Sequence, residues 1–150
     1  PPLRGKVDVQ AVRQGLADDT IDVMATDHAP HGEMDKPEDF YYAANGISGI
    51  EIAFAISYTY LVRSGKLSLR ELLKKMSLNP AKILDINQGS IGISKEANIA
   101  IVDLDKKYKV DRNEFKSKGK NTPFHGKELY GEVLMTIADG NIVYEKEGEF

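Results

Sequence analysis

Asp27, His28 and His31 stand together in Asp27-His28-Ala29-Pro30-His31, which holds two of the chain's three histidines. Carboxylate and imidazole groups hold divalent metals and move protons near neutral pH. Hydrolysing an amide at that pH needs a hydroxide-like nucleophile, and a divalent metal supplies one by lowering the pKa of its bound water to about 7. A carboxylate on such a metal can take the water's proton and pass it to the leaving nitrogen. Asp27 therefore qualifies as metal ligand, general base, or both. The plain alternatives are Asp27 as a turn cap and His31 as a solvated loop residue after Pro30. A zinc site takes about four ligands, or three plus water, so this cluster cannot complete one unaided.

A second group lies in Asn45-Gly46-Ile47-Ser48-Gly49, ahead of an apolar helical stretch. Its glycines read either as turn residues with positive φ or as points of close approach to a ligand. In the second case, free N–H groups at the helix start would face an anion. His125, among the turn residues of Asn121-Thr122-Pro123-Phe124-His125-Gly126, reads as part of a structural turn. The lysine-rich run 116–120 reads as a solvated loop, since no interleaved aromatics suggest a nucleic-acid platform.

The elements that must position these groups are legible from spacing. Val7, Val9, Val12 and Leu16 predict a short helix ending at Asp18-Asp19. Residues 21–26 are β-branched and largely apolar, which predicts a buried strand with Asp27 at its carboxyl end. In α/β sheets and barrels such ends open into the ligand crevice. Residues 47–62 predict a helix stopped by Gly65. Ser68-Leu69-Arg70-Glu71 is a capping box opening an amphipathic helix. Asn79-Pro80 predicts a third helix, with Asn as cap, running to a stop at Asn87-Gln88-Gly89. After Gly92 the chain turns to β. A strand over 99–102 is expected to end at Asp103, and Ala138-Asp139-Gly140-Asn141 predicts a hairpin between two β-rich runs.

Composition narrows the classes. With 150 residues, 41% hydrophobic and 29% charged, the chain is globular in type rather than disordered or fibrous. A net charge of −3 does not favour non-specific phosphate binding. The absence of cysteine excludes disulfides, thiolate metal ligands and a thiol nucleophile. The chain opens Pro1-Pro2-Leu3-Arg4 without a Met, so it is read as a piece of a longer protein.

Ala25-Thr26-Asp27-His28-Ala29-Pro30-His31 resembles a segment of bacterial dihydroorotases, cyclic amidases of the amidohydrolase superfamily. Four other stretches agree in the same order: Pro1-Pro2-Leu3-Arg4, residues 46–51, Asn79-Pro80-Ala81-Lys82 and residues 117–126. The Asn-Pro-Ala stretch is weak, because it recurs across the superfamily. The Asp-His-Ala-Pro-His run combined with the opening is specific.

This resemblance implies an α/β fold: the C-terminal part of a (β/α)8 TIM-type barrel over residues 1–90, and strands of a small β-sandwich over 91–150. It implies a zinc-dependent enzyme of pyrimidine biosynthesis that interconverts L-dihydroorotate and N-carbamoyl-L-aspartate. By position, Asp27 matches a metal-ligating aspartate that also shuttles the proton. His31 matches a histidine on the substrate carboxylate, and Asn45 and Gly46 match a Pro-Gly pair whose backbone meets the substrate. Asn for Pro is a departure that leaves the loop less restrained. His28 belongs to the motif but is not assigned to the metal. The remaining ligands for one or two zinc ions would lie upstream, so this piece alone is expected to be inactive. A barrel takes about 250 residues. The resemblance further implies a cytoplasmic protein with a small-molecule substrate, a homodimer, and possible association with aspartate carbamoyltransferase. Two rival readings stand beside it: a hydantoinase or allantoinase, and an inactive partner of aspartate carbamoyltransferase.

Overall fold

The structure, a computed structural model, describes residues 5–36, 39 and 41–148. The Pro1-Pro2-Leu3-Arg4 opening lies outside the described residues. The chain divides into two compact units. One comprises the described residues up to Ala25, Ser57–Val102 and those from Val133 onward; the other comprises the described residues of Thr26–Ile56 and Asp103–Glu132. Each unit draws on residues from both sides of position 90.

In the first unit, helix α1 spans Lys6–Ala17, as the valine spacing predicts. Gly5 offers no side-chain cap, so the Asp8 carboxylate folds back and accepts the Gly5 N–H at 3.1 Å. Leu16 of this helix packs with Leu61 and Leu67 in a small core, flanked by the half-buried Ile21 and Met24.

Residues 22–27 join no ladder, which corrects the expected buried strand. Asp22, Ala25 and Thr26 are exposed. The main chain here bonds to helices instead. Ile21 donates to Gly15 O at 2.8 Å and Met24 to Lys75 O at 3.0 Å. The fully buried Lys75 donates to Ile21 O at 2.6 Å and to Asp19 at 2.7 Å, and Asn79 Nδ2 donates to Asp22 O at 2.8 Å. An apolar β-branched run reports a wish for burial, but a parallel strand also needs a neighbouring strand to take its N–H and C=O groups.

The predicted helix over 47–62 begins later and is mixed. A 3₁₀ turn, Ile50–Ile52, leads into α2, Ala53–Ser57, and then a π turn, Tyr58–Val62. Gly65, at φ +71°, closes it. Helix α3, Leu69–Leu73, opens with the predicted capping box. The Ser68 Oγ accepts the Glu71 N–H at 3.2 Å, and the Glu71 carboxylate accepts the Ser68 N–H at 2.6 Å.

The expected break at Asn79-Pro80 does not occur. Lys74–Leu78 forms a π turn that runs straight into α4, Asn79–Ile83, and Asn79 itself is helical at φ −68°. Pro80 lacks an N–H and crowds the preceding turn, and a π turn widens the backbone enough to carry it. The helix ends before the predicted Asn87-Gln88-Gly89 stop. Asp85 takes φ +53° and the Ile86 N–H returns to Ala81 O at 3.0 Å. Gly89 instead packs on the helix backbone, where a Cβ would lie 2.7 Å from Ser77 O.

The β part is a three-stranded sheet in the order β1-β2-β3. Strand β1, Ile99–Lys109, continues well beyond the expected end at Asp103. Strands β2, Glu128–Ala138, and β3, Asn141–Glu145, pair antiparallel across the predicted hairpin. Asp139 and Gly140 both have positive φ, +49° and +77°, as a type I′ turn requires. In the second unit, Ile52, Ala55, Val110, Phe115 and Leu129 form the core. The architecture is thus helices plus an antiparallel hairpin sheet, without a closed barrel among the described residues.

Candidate functional site

The second unit brings the two sequence-predicted segments together. Ala29 N–H donates to Ile47 O at 3.0 Å, and His28 and Ile47 form an isolated parallel bridge. His31 Nε2 donates to Asn45 O at 2.8 Å. Gly46 has φ +122°, and a Cβ there would meet the Ala29 methyl at 2.5 Å and Ala29 O at 3.0 Å. Only glycine fits that backbone and that contact. Gly49 differs: its φ of −141° is open to any residue, so the positive-φ reading holds for Gly46 and not for Gly49.

His28 has a role its sequence position did not reveal. Its Nδ1 accepts the N–H groups of Gly49 at 3.1 Å and Ile50 at 3.3 Å. A backbone N–H can only donate, so Nδ1 carries no proton and is occupied. The helix start has no side-chain cap of its own, and the distant imidazole supplies one. The N–H groups expected to face an anion are thereby taken, and Ser48 N–H is bound to Asn121 O at 2.7 Å.

The lysine-rich run is likewise more than a solvated loop. The Glu51 carboxylate accepts the N–H groups of Lys116 at 2.7 Å and Ser117 at 3.0 Å. Ser48, fully buried, donates to Gly119 O at 2.5 Å. Gly119 is itself buried, and a Cβ there would lie 2.8 Å from His31 O. This run therefore walls the His31 segment. His125 is the structural turn residue expected: its Nδ1 accepts the Arg112 N–H at 3.2 Å.

Asp27 is exposed and held at φ +45°. Among the described residues no hydrogen bond or ion pair engages its carboxylate, so it is free to accept a proton or ligate a cation. Aspartate tolerates this left-handed conformation better than most residues, yet such backbones persist only where surroundings impose them. Here Asp27 directly precedes the His28 cap and the Ala29–Ile47 bond. Among the described residues no group of three or more His, Cys, Asp or Glu side chains converges to hold a metal ion. The described residues thus do not make a complete metal site; Asp27 fits as one donor.

Sequence comparison defines the class to which this arrangement belongs. The chain belongs to the amidohydrolase family, whose model matches residues 3–143. Within that class its curated relatives include the dihydroorotase of Acetivibrio thermocellus, 49% identical over 147 residues, which are 98% of this chain and 34% of that protein. The dihydroorotase of Syntrophus aciditrophicus is 52% identical over the same shares. The chain spans about a third of the length of these relatives. Among solved structures, an L-hydantoinase (dihydropyrimidinase) from Arthrobacter aurescens superposes with a TM-score of 0.89 at 33% identity, over 97% of this chain and 34% of that one. A D-hydantoinase from Bacillus sp. AR9 gives 0.87 at 28%, over 97% and 33%.

Proposed function

We propose that this chain supplies the C-terminal portion of a zinc-dependent dihydroorotase, which interconverts L-dihydroorotate and N-carbamoyl-L-aspartate in pyrimidine biosynthesis. The observation that carries this reading is Asp27, a carboxylate without a partner among the described residues, beside the bonded pair of segments that holds His31, Asn45 and Gly46. Identity near 50% to dihydroorotases across almost the whole chain supports it. In this reading, residues 1–90 belong to the barrel and 91–150 to the small β-sandwich.

Zinc, when bound, would supply a water acidic enough to lose its proton near neutral pH. Asp27 is the ligand this chain offers; the others would come from the rest of the protein. Asp27 would take a proton from the attacking water as its oxygen bonds to the ring carbonyl carbon, and give that proton to the ring nitrogen as the C–N bond breaks. His31, held by its Nε2–H bond to Asn45 O, stands on the segment that would flank the substrate carboxylate. The main chain at Asn45 and Gly46 contributes N–H donors. The intact protein would be a cytoplasmic homodimer, able to associate with aspartate carbamoyltransferase. No described helix is long and apolar enough to cross a membrane.

The test is Asp27→Ala in the full-length protein. A positioned acid–base group contributes about 10²–10⁴-fold, so turnover should fall by that factor with the fold intact. Retention of more than about a tenth of wild-type kcat would remove Asp27 from the chemistry. The hydantoinase likeness favours one rival, a related cyclic amidase. A panel of dihydroorotate, hydantoin, dihydropyrimidine and allantoin separates the two. Complete inactivity on the panel, with binding to aspartate carbamoyltransferase, would mark a non-catalytic partner.

A further inference from the structure

We infer that Lys36 is a positioning residue for the loop that meets the substrate; this rests on the functional reading above. Its ammonium donates to two carbonyls of that loop, Ala44 O and, at 2.8 Å, Gly46 O. Asn121 Nδ2 adds a second bond to Gly46 O at 3.3 Å. The carbonyl between them, Asn45 O, takes His31 Nε2 at 2.8 Å. Three consecutive carbonyls are thus pinned by side chains from three separate places in the chain.

Pinning carbonyls fixes the amides. Each peptide unit is planar and trans, so its N–H points opposite its C=O. With Ala44 O held by Lys36 and Asn45 O by His31, the N–H groups of Asn45 and Gly46 are aimed away from both. Among the described residues neither N–H has a protein acceptor. They are the donors this loop has left for an acidic ligand. Lys36 is suited to the task because one ammonium has three N–H donors and a charge that polarises the peptides it touches. Gly46, at φ +122°, would otherwise wander, since glycine has the widest choice of backbone conformations. Asn45, free of the restraint a proline would impose, adds to that need.

Lys36 touches no reacting atom in this arrangement. Its loss should therefore weaken substrate binding and leave the chemical step alone. The experiment uses the full-length enzyme with Lys36→Met, which keeps the apolar stem, Lys36→Gln, which keeps donors without charge, and Lys36→Arg as the conservative variant. Expected is a rise in KM for dihydroorotate of about tenfold or more in Lys36→Met, with kcat within about threefold and zinc content unchanged. Lys36→Arg should recover most of the loss, and amide exchange at Ala29 and Ser48, bonded to Ile47 O and Asn121 O, should quicken in Lys36→Met. An unchanged KM, or KM and kcat failing together with loss of zinc, overturns the inference. If Lys36→Met does not fold, the same split read in Lys36→Gln decides. A wild-type enzyme without dihydroorotase turnover refutes the functional reading instead; exchange in Lys36→Met then shows separately whether Lys36 holds the loop, and unchanged exchange overturns that too.

Discussion

Replacing Gly46 with alanine tests how tightly the two site segments are locked. The new methyl would sit 2.5 Å from the Ala29 methyl and 3.0 Å from Ala29 O, at a backbone φ of +122°. The contact cannot be relieved by a flexible side-chain end, because its partners are a Cβ and a main-chain oxygen. Overpacking of this kind costs about 1–3 kcal/mol, and forcing a side chain onto such a backbone about 1–3 kcal/mol more. The sum, about 2–6 kcal/mol, multiplies local opening by roughly 30-fold to 10⁴-fold. The read-out is hydrogen exchange in the full-length protein at the Ser48 and Gly49 amides, bound to Asn121 O and His28 Nδ1. Gly65→Ala is the control. Gly65 also has positive φ, +71°, but nothing lies within 4 Å of its would-be Cβ. That change should cost only the backbone term, about 1–2 kcal/mol, and leave residues 48–49 alone. Exchange in Gly46→Ala within about threefold of wild type, under roughly 1 kcal/mol, would refute the locked-segment argument.

Other expectations follow from the same contacts. Hydrogen bonds from Lys75, then from Lys74, hold the Asp19 carboxyl below its usual value of 3.8. The folded state therefore binds fewer protons than the unfolded one around that pH. Asp19 contributes stability above pH 3.8, and loses it as pH falls through the depressed folded value. Urea midpoints should fall less on acidification in Asp19→Asn than in wild type; equal slopes would exclude the contribution. Ser68→Ala removes the acceptor of the Glu71 N–H and should cost about 1 kcal/mol by urea unfolding, with Ser68→Thr largely restoring it.

Much of this was readable residue by residue. Helix α1, the Ser68–Glu71 box, the Gly65 stop and the Asp139-Gly140 hairpin depend on groups a few positions apart, so local spacing carries their geometry. The motif around Asp27 and His31 was picked out by residue type alone, which states which chemistry is possible there. Tertiary structure decided the rest. Residues 21–26 bond to helices rather than to a strand, since pairing depends on which neighbour is present. Pro80 rides on a π turn inside a continuous helix, because packing of the surrounding turns outweighs its local preference. The roles of His28, Glu51, Lys36 and Asn121 join positions 8 to 75 residues apart. Spacing cannot announce such bonds: a side chain's hydrogen-bonding capacity is written in its type, but the main-chain group it satisfies is fixed only when the chain has folded back on itself.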